Sequence, residues 1–80
     1  MSEEIKLEHP IEVDGRTIES INVRRLKVRD QVAASKKKGT EAEVEVHLFA
    51  NLCELTPANI EELDMVDYRK IQDIYTGFLE

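Results

Sequence analysis

The chain predicts an α+β domain, with an N-terminal β-hairpin over about residues 4–25 and three or four short α-helices over about 28–79. Three observations predict it. Residues 5–13 alternate apolar and polar with the period of a half-buried strand. Asp14-Gly15 follows directly, a dipeptide that tolerates the positive φ angles of a tight hairpin turn. From Val28 the apolar residues recur at helical spacing instead, punctuated by Gly39, Thr40, Thr56-Pro57 and Asp64.

In the first strand Ile5, Leu7, His9, Ile11 and Val13 take one parity, and Lys6, Glu8, Pro10 and Glu12 the other. The turn sets Val13 opposite Arg16 and Ile18 opposite Ile11. The step from Ile18 to Ile21 breaks parity, so a bulge near Glu19-Ser20 is expected, placing Ile21 by His9 and Val23 by Leu7. Pro10 has no N–H to donate, so its strand is expected to be an edge there.

In the first helix Val28, Val32 and Ala33 share a face, and the run ends at Lys36-Lys37-Lys38-Gly39. Lysines suit the negative end of a helix dipole, and Gly39 suits a left-handed terminator. Thr40 then caps a second helix with Glu41 and Glu43 in its first turn. Its apolar face runs Val44, Leu48, Leu52, Leu55, flanked by Phe49 and Cys53. Thr56 caps a third helix of barely two turns, with Pro57 at its first position and Ile60 and Leu63 pointing inward. Asp64 caps the last. There Tyr68, Ile71, Tyr75 and Phe78 fall at spacings of three, four and three, beside Ile74 and Leu79, with Arg69, Lys70, Gln72 and Asp73 opposite.

Eighty residues make one domain, which buries roughly 60% of its unfolded surface. A composition of 41% hydrophobic and 35% charged residues is globular rather than disordered. The net charge of −6 argues against DNA or an anionic membrane as whole-molecule partner. A single cysteine, Cys53, makes no internal disulfide and suits a reducing compartment. No apolar run approaches the roughly 18 residues of a membrane span. The start, Met1-Ser2-Glu3-Glu4, lacks the basic and apolar character of a signal peptide. The expected location is the cytoplasm.

No residue pattern calls for catalysis, a cofactor or a metal. His9 has no partner at ligand spacing, so a partly buried structural role on the apolar face of its strand is expected. His47 and Cys53 are six residues apart on one helix, hence on different faces, and cannot form a nucleophile–base pair from it. Cys53 is expected to pack as a small apolar residue. Glu61, Glu62, Asp64 and Asp67 read as surface charge and capping. Gly15, Gly39 and Gly77 form no phosphate loop. An enzyme is therefore not expected.

What stands out is charge segregation. Arg24 to Lys38 hold seven of the eleven bases and one of the seventeen acids, a net +6, and the remaining residues carry −12. Such a field favours docking onto another macromolecule. Lys36 to Lys38 are accounted for as a helix end, whereas Arg24, Arg25, Lys27 and Arg29 straddle the strand-to-helix junction and are candidate partner-binding residues. A small regulator contacting nucleic acid through this strip is the alternative to a protein-docking face. Against it, the chain is acidic overall and no aromatic lies between Met1 and Leu48.

An apolar strand with Pro10-Ile11, the Gly15 turn, Ile18 and Ile21, then Val23-Arg24-Arg25-Leu26 followed by Asp30, resembles the front half of a known family. It is that of the small tail assembly chaperones, E-like and Mu-like, of contractile-tailed phages and prophages. Leu52 and Leu55 ahead of Thr56, then Ile60, Leu63, Asp67, Ile71 and Gly77-Phe78-Leu79, match the back half. The chain differs in carrying Lys27 where a capping Thr or Ser often follows the leucine, and Glu54 where a glycine often follows the second helix. The resemblance implies a non-catalytic protein that coats the tape-measure protein, helps recruit tail-tube subunits and is absent from the finished virion. It also implies a longer frameshifted product. A structural tail-completion subunit is a further alternative. A client helix is expected in an apolar groove between the last two helices, with Tyr68, Tyr75 and Phe78 contributing either to the core or to that groove.

Overall fold

In the computed structural model, which describes residues 2–80, β1 (Ser2–Val13) and β2 (Arg16–Arg24) form an antiparallel hairpin. Asp14 and Gly15 carry it through the turn at φ 51° and 78°, and Val13 faces Arg16 and Ile11 faces Ile18 as expected. Four helices follow: α1 (Val28–Ser35), α2 (Glu41–Cys53), α3 (Pro57–Glu61) and α4 (Met65–Phe78). The α+β expectation holds. Helix α2 lies against β2 and α4 against β1, so the two-stranded sheet is covered on one face. Between them sits the core of Ile5, Leu7, Ile21, Val23, Phe49, Leu52, Ile60 and Ile71.

The strand irregularity is real but lies in the other strand. Between the pairs Lys6–Ser20 and Ile11–Ile18, residues Leu7 to Pro10 stand opposite Glu19 alone. Ile21 therefore faces Ile5 and Val23 faces Glu3, not His9 and Leu7. The cause is long-range. Asp67 on α4 accepts hydrogen bonds from the backbone amides of Glu8 (2.8 Å) and His9 (3.0 Å), holding the bulged segment to the helix. Pro10, lacking an N–H, loses nothing by standing off the ladder. The same detour turns His9 outward: it is exposed, not half-buried, with Nε2 4.0 Å from Asp64 Oδ2.

The helix caps follow the local signals. Thr40 and Glu43 form a reciprocal capping box, as do Thr56 and Asn59, and Asp64 accepts from the Val66 amide at 2.9 Å. Two ends differ from expectation. Helix α1 stops at Ser35 with Lys36 at its C-cap in right-handed geometry, so Lys37 and Lys38 lie beyond it, and Gly39 takes its positive φ (135°) in the following link. Helix α2 ends with Glu54 in the left-handed conformation, φ 57°. A side chain there carries a steric cost that glycine avoids. Glu54→Gly is expected to stabilise the fold by about 1 kcal/mol, less what the unfolded chain gains in freedom, read as a higher denaturant midpoint.

Helix α1 is rotated almost half a turn from the expected orientation. Val28 and Val32 are 80% and 47% exposed and Ala33 is exposed, whereas Ala34 packs on the core and Asp30 is 4% exposed. Three charge-assisted hydrogen bonds to Asp30 fix the rotation, two from Arg24 and one from the Lys27 amide. That amide closes half a capping box, but lysine offers no acceptor for the other half. Lys27→Ser supplies one and is expected to add about 1 kcal/mol, checked by equilibrium urea unfolding.

Candidate functional site

The basic candidates divide into pairs inside the fold and charges facing water. Arg24 Nη1 and Nη2 donate to the two Asp30 oxygens at 2.9 and 2.8 Å. The Arg24 hydrogen bonds hold the Asp30 carboxyl at about 2 despite burial, and Asp30 in turn raises Arg24. Arg24 is thus neutralised where β2 turns into α1. Arg25 sets its guanidinium 5.0 Å from the centroid of the Phe78 ring and donates from Nη2 to the Phe78 carbonyl (3.2 Å), latching this turn to the end of α4. The side chains of Lys27 and Arg29 are exposed, as are those of Lys36, Lys37 and Lys38.

The aromatic candidates converge on Phe49, which is fully buried. The Tyr68 and Tyr75 rings each lie 5.4 Å from its centroid, tilted by 50° and 58°. Tyr68 donates its hydroxyl to Glu45 Oε1 (2.6 Å), and Gln72 Nε2 donates to the same oxygen (3.0 Å), tying α4 to α2. Burial, with Glu45 adding to it, raises the Tyr68 hydroxyl. Tyr75 is half-buried: one part of its ring packs on Phe49 and another faces a surface groove. Phe78 lies under Arg25.

That groove consists of two adjoining cavities, about 310 and 400 Å³, which share Val44, Leu48 and Tyr75. One continues to Gly39, Glu41 and Glu45, the other to Leu26, Ala34 and Leu79. It runs between α1, α2 and the end of α4, not between the last two helices. Ile60 and Leu63 of that region are buried in the core. Glu41 and Glu45 are the charged side chains that line it, whereas Lys37 lines a separate cavity with Ala33, His47 and Ala50.

Two acids matter that composition and spacing did not single out. Asp30 has been described. Asp67, wholly buried, holds the β1 bulge through Glu8 and His9 and lies 3.5 Å from Lys70 Nζ, which donates to the Lys6 carbonyl (2.9 Å). Burial pushes the Asp67 carboxyl up, but the two amides and Lys70 together outweigh it and keep it below 3.8. Both aspartates, and Arg24, are among the few polar residues that carry the family resemblance. Their role here is to fasten the fold.

Among the described residues, no three His, Cys, Asp or Glu side chains lie where they could hold a metal ion. Cys53 is buried, which pushes its thiol up to about 12 and leaves it protonated and unreactive at neutral pH. No helix among the described residues is long and apolar enough to cross a membrane.

The hairpin, the four helices and the open apolar groove make a small α+β domain with a surface suited to docking. Residues 4–80 match the family model described as phage tail assembly chaperone proteins, E, or 41 or 14, and the chain belongs to that family. No curated protein and no solved structure matched it.

Proposed function

We propose that this chain binds the tape-measure protein during phage or prophage tail assembly, shields its hydrophobic helices and aids tail-tube assembly, without catalysis. Membership of the tail assembly chaperone family over residues 4–80 carries the reading. The structure supports it with an open, largely apolar groove between α1, α2 and the end of α4. The work takes place in the host cytoplasm, and the chain leaves before the virion is complete.

Co-expression with the tape-measure protein, followed by size-exclusion chromatography, tests this. The two are expected to co-elute, and mass spectrometry of purified virions is expected to find the tape-measure protein without this chain. Separate elution contradicts client binding. Recovery of the chain from virions at constant stoichiometry favours the tail-completion subunit instead.

A further inference from the structure

We infer that the outer face of α1, with the cavity beside it, seats a partner helix whose apolar stripe is flanked by acids. Under the reading above, on which this identity rests, the tape-measure protein supplies that helix. The surface is separate from the groove, which meets α1 at Gln31, Ala34 and Ser35. Residues four apart share a row on a helix, so Val28 and Val32 form one row and Arg29 and Ala33 the next. Lys36, at the right-handed C-cap, and Lys37, whose amide donates to the Ala34 carbonyl at 3.0 Å, continue the two rows. All six are exposed, Val28 at 80% and Val32 at 47%. The second row leads into a cavity of about 390 Å³, where Ala33 and Lys37 meet His47 and Asn51 of α2 beside the apolar Leu55 and Pro57. Folding alone does not favour this face. A buried ion pair contributes little net stability where apolar packing would serve, yet the Arg24–Asp30 pair holds α1 with its valines in water. The charge on the face is also uncompensated. Among the described residues, no carboxylate lies within 4.0 Å of the charged nitrogens of Lys27, Arg29, Lys36, Lys37 or Lys38. Bases beside two exposed valines complement acids beside an apolar stripe. Nucleic acid fits less well, since residues 27–38 hold no Phe, Tyr or Trp to stack a base and the chain as a whole carries −6.

The probes are two synthetic amphipathic helices of about 18 residues with one leucine stripe, flanked by glutamates or by lysines. A poly-dT oligonucleotide and a DNA duplex serve as competitors. Binding is measured by calorimetry at physiological salt and mapped by backbone amide shifts of the labelled chain. The glutamate peptide is expected to bind about tenfold tighter than the lysine peptide, with shifts at Val28, Val32, Ala33, Lys37 and His47. Val28→Ser with Val32→Ser, both at exposed positions, should weaken it about tenfold, consistent with losing apolar side chains from a contact. Arg29→Glu with Lys37→Glu should reverse the preference between the peptides. Met65→Glu on α4 and Leu79→Glu at the groove, both on exposed apolar residues, are controls expected to change affinity less than about twofold. Equal binding of the two peptides, shifts centred on Val44, Leu48 and Tyr75, or indifference to the α1 variants would each overturn the inference. Tighter binding of either nucleic acid than of the glutamate peptide would do the same, with phosphate then the occupant. So would a dimer of the unliganded chain that Val28→Ser with Val32→Ser converts to monomer. The same variants against the tape-measure protein separate the two claims. Co-elution untouched by Arg29→Glu with Lys37→Glu sinks the α1 surface and leaves the function standing. Glutamate-peptide binding at α1 without tape-measure co-elution sinks the function and leaves the surface.

Discussion

Asp67→Ala should lower stability by about 3 kcal/mol, a fall in Tm of roughly 15 °C. The side chain is 0% exposed and receives the amides of Glu8 and His9, which have no ladder partner because the bulge has taken them off β2. Removing the carboxylate strands both donors, leaves a void under β1 and deprives Lys70 of its nearest acid at 3.5 Å. Asp67→Asn keeps the shape but presents one oxygen to two N–H donors. It should lose about half as much. The sign of the pH effect follows from the lowered carboxyl. Its contribution is complete above the ordinary value of 3.8 and disappears as pH falls through the lower folded value. Denaturant melts of wild type and Asp67→Asn should therefore converge in acid. Parallel curves down to the lowest pH at which the protein folds would contradict this assignment.

The second large effect is expected at Asp30. Its carboxyl is 4% exposed and held at about 2 rather than 3.8, which corresponds to about 2 kcal/mol of stability present above pH 4 and lost between there and pH 2. Asp30→Ala should cost about 2–3 kcal/mol, since Arg24, partly exposed, can recover some hydration. Arg24→Ala should cost as much, because it leaves Asp30 buried with only the Lys27 amide. A double-mutant cycle should return about 2 kcal/mol of coupling. Values near zero would mean that the α1 rotation is fixed by something else, and the exposed Val28–Val32 stripe would lose its explanation. It follows that weakened partner binding by an Arg24 variant bears on function only if the variant's stability is restored, for example by Lys27→Ser combined with Glu54→Gly.

Local features were legible in the sequence. The Asp14-Gly15 turn, the caps at Thr40, Thr56 and Asp64, and the Phe49–Leu52–Ile71 core all depend on residues a few positions apart or on periodicity. Features set by distant polar contacts were not. Asp67 lies 59 residues from Glu8, so nothing near Pro10 reveals that the bulge belongs to β1. Helix α1 was misplaced for a related reason: two valines outweigh one aspartate in a periodicity argument, yet a bidentate arginine decides the rotation. The signal was present, since Asp30 is the only acid in the basic block and a charge so placed invites the question of its partner. The groove is assembled from Leu26, Ala34, Val44, Leu48, Tyr75 and Leu79, drawn from three helices and a link, and only the packed chain brings them together. Tyr75 was expected either in the core or in a groove between the last two helices; its ring packs on Phe49 and also lines the groove between α1, α2 and the end of α4.

The central claim is that sticky helical surface on a tape-measure protein is shielded by contact with this chain. The soluble fraction of that protein, expressed at matched levels with and without the chain, measures it most directly. The account predicts a several-fold rise in soluble tape-measure protein that tracks the dose of the chain. An unchanged soluble fraction at saturating dose would contradict it.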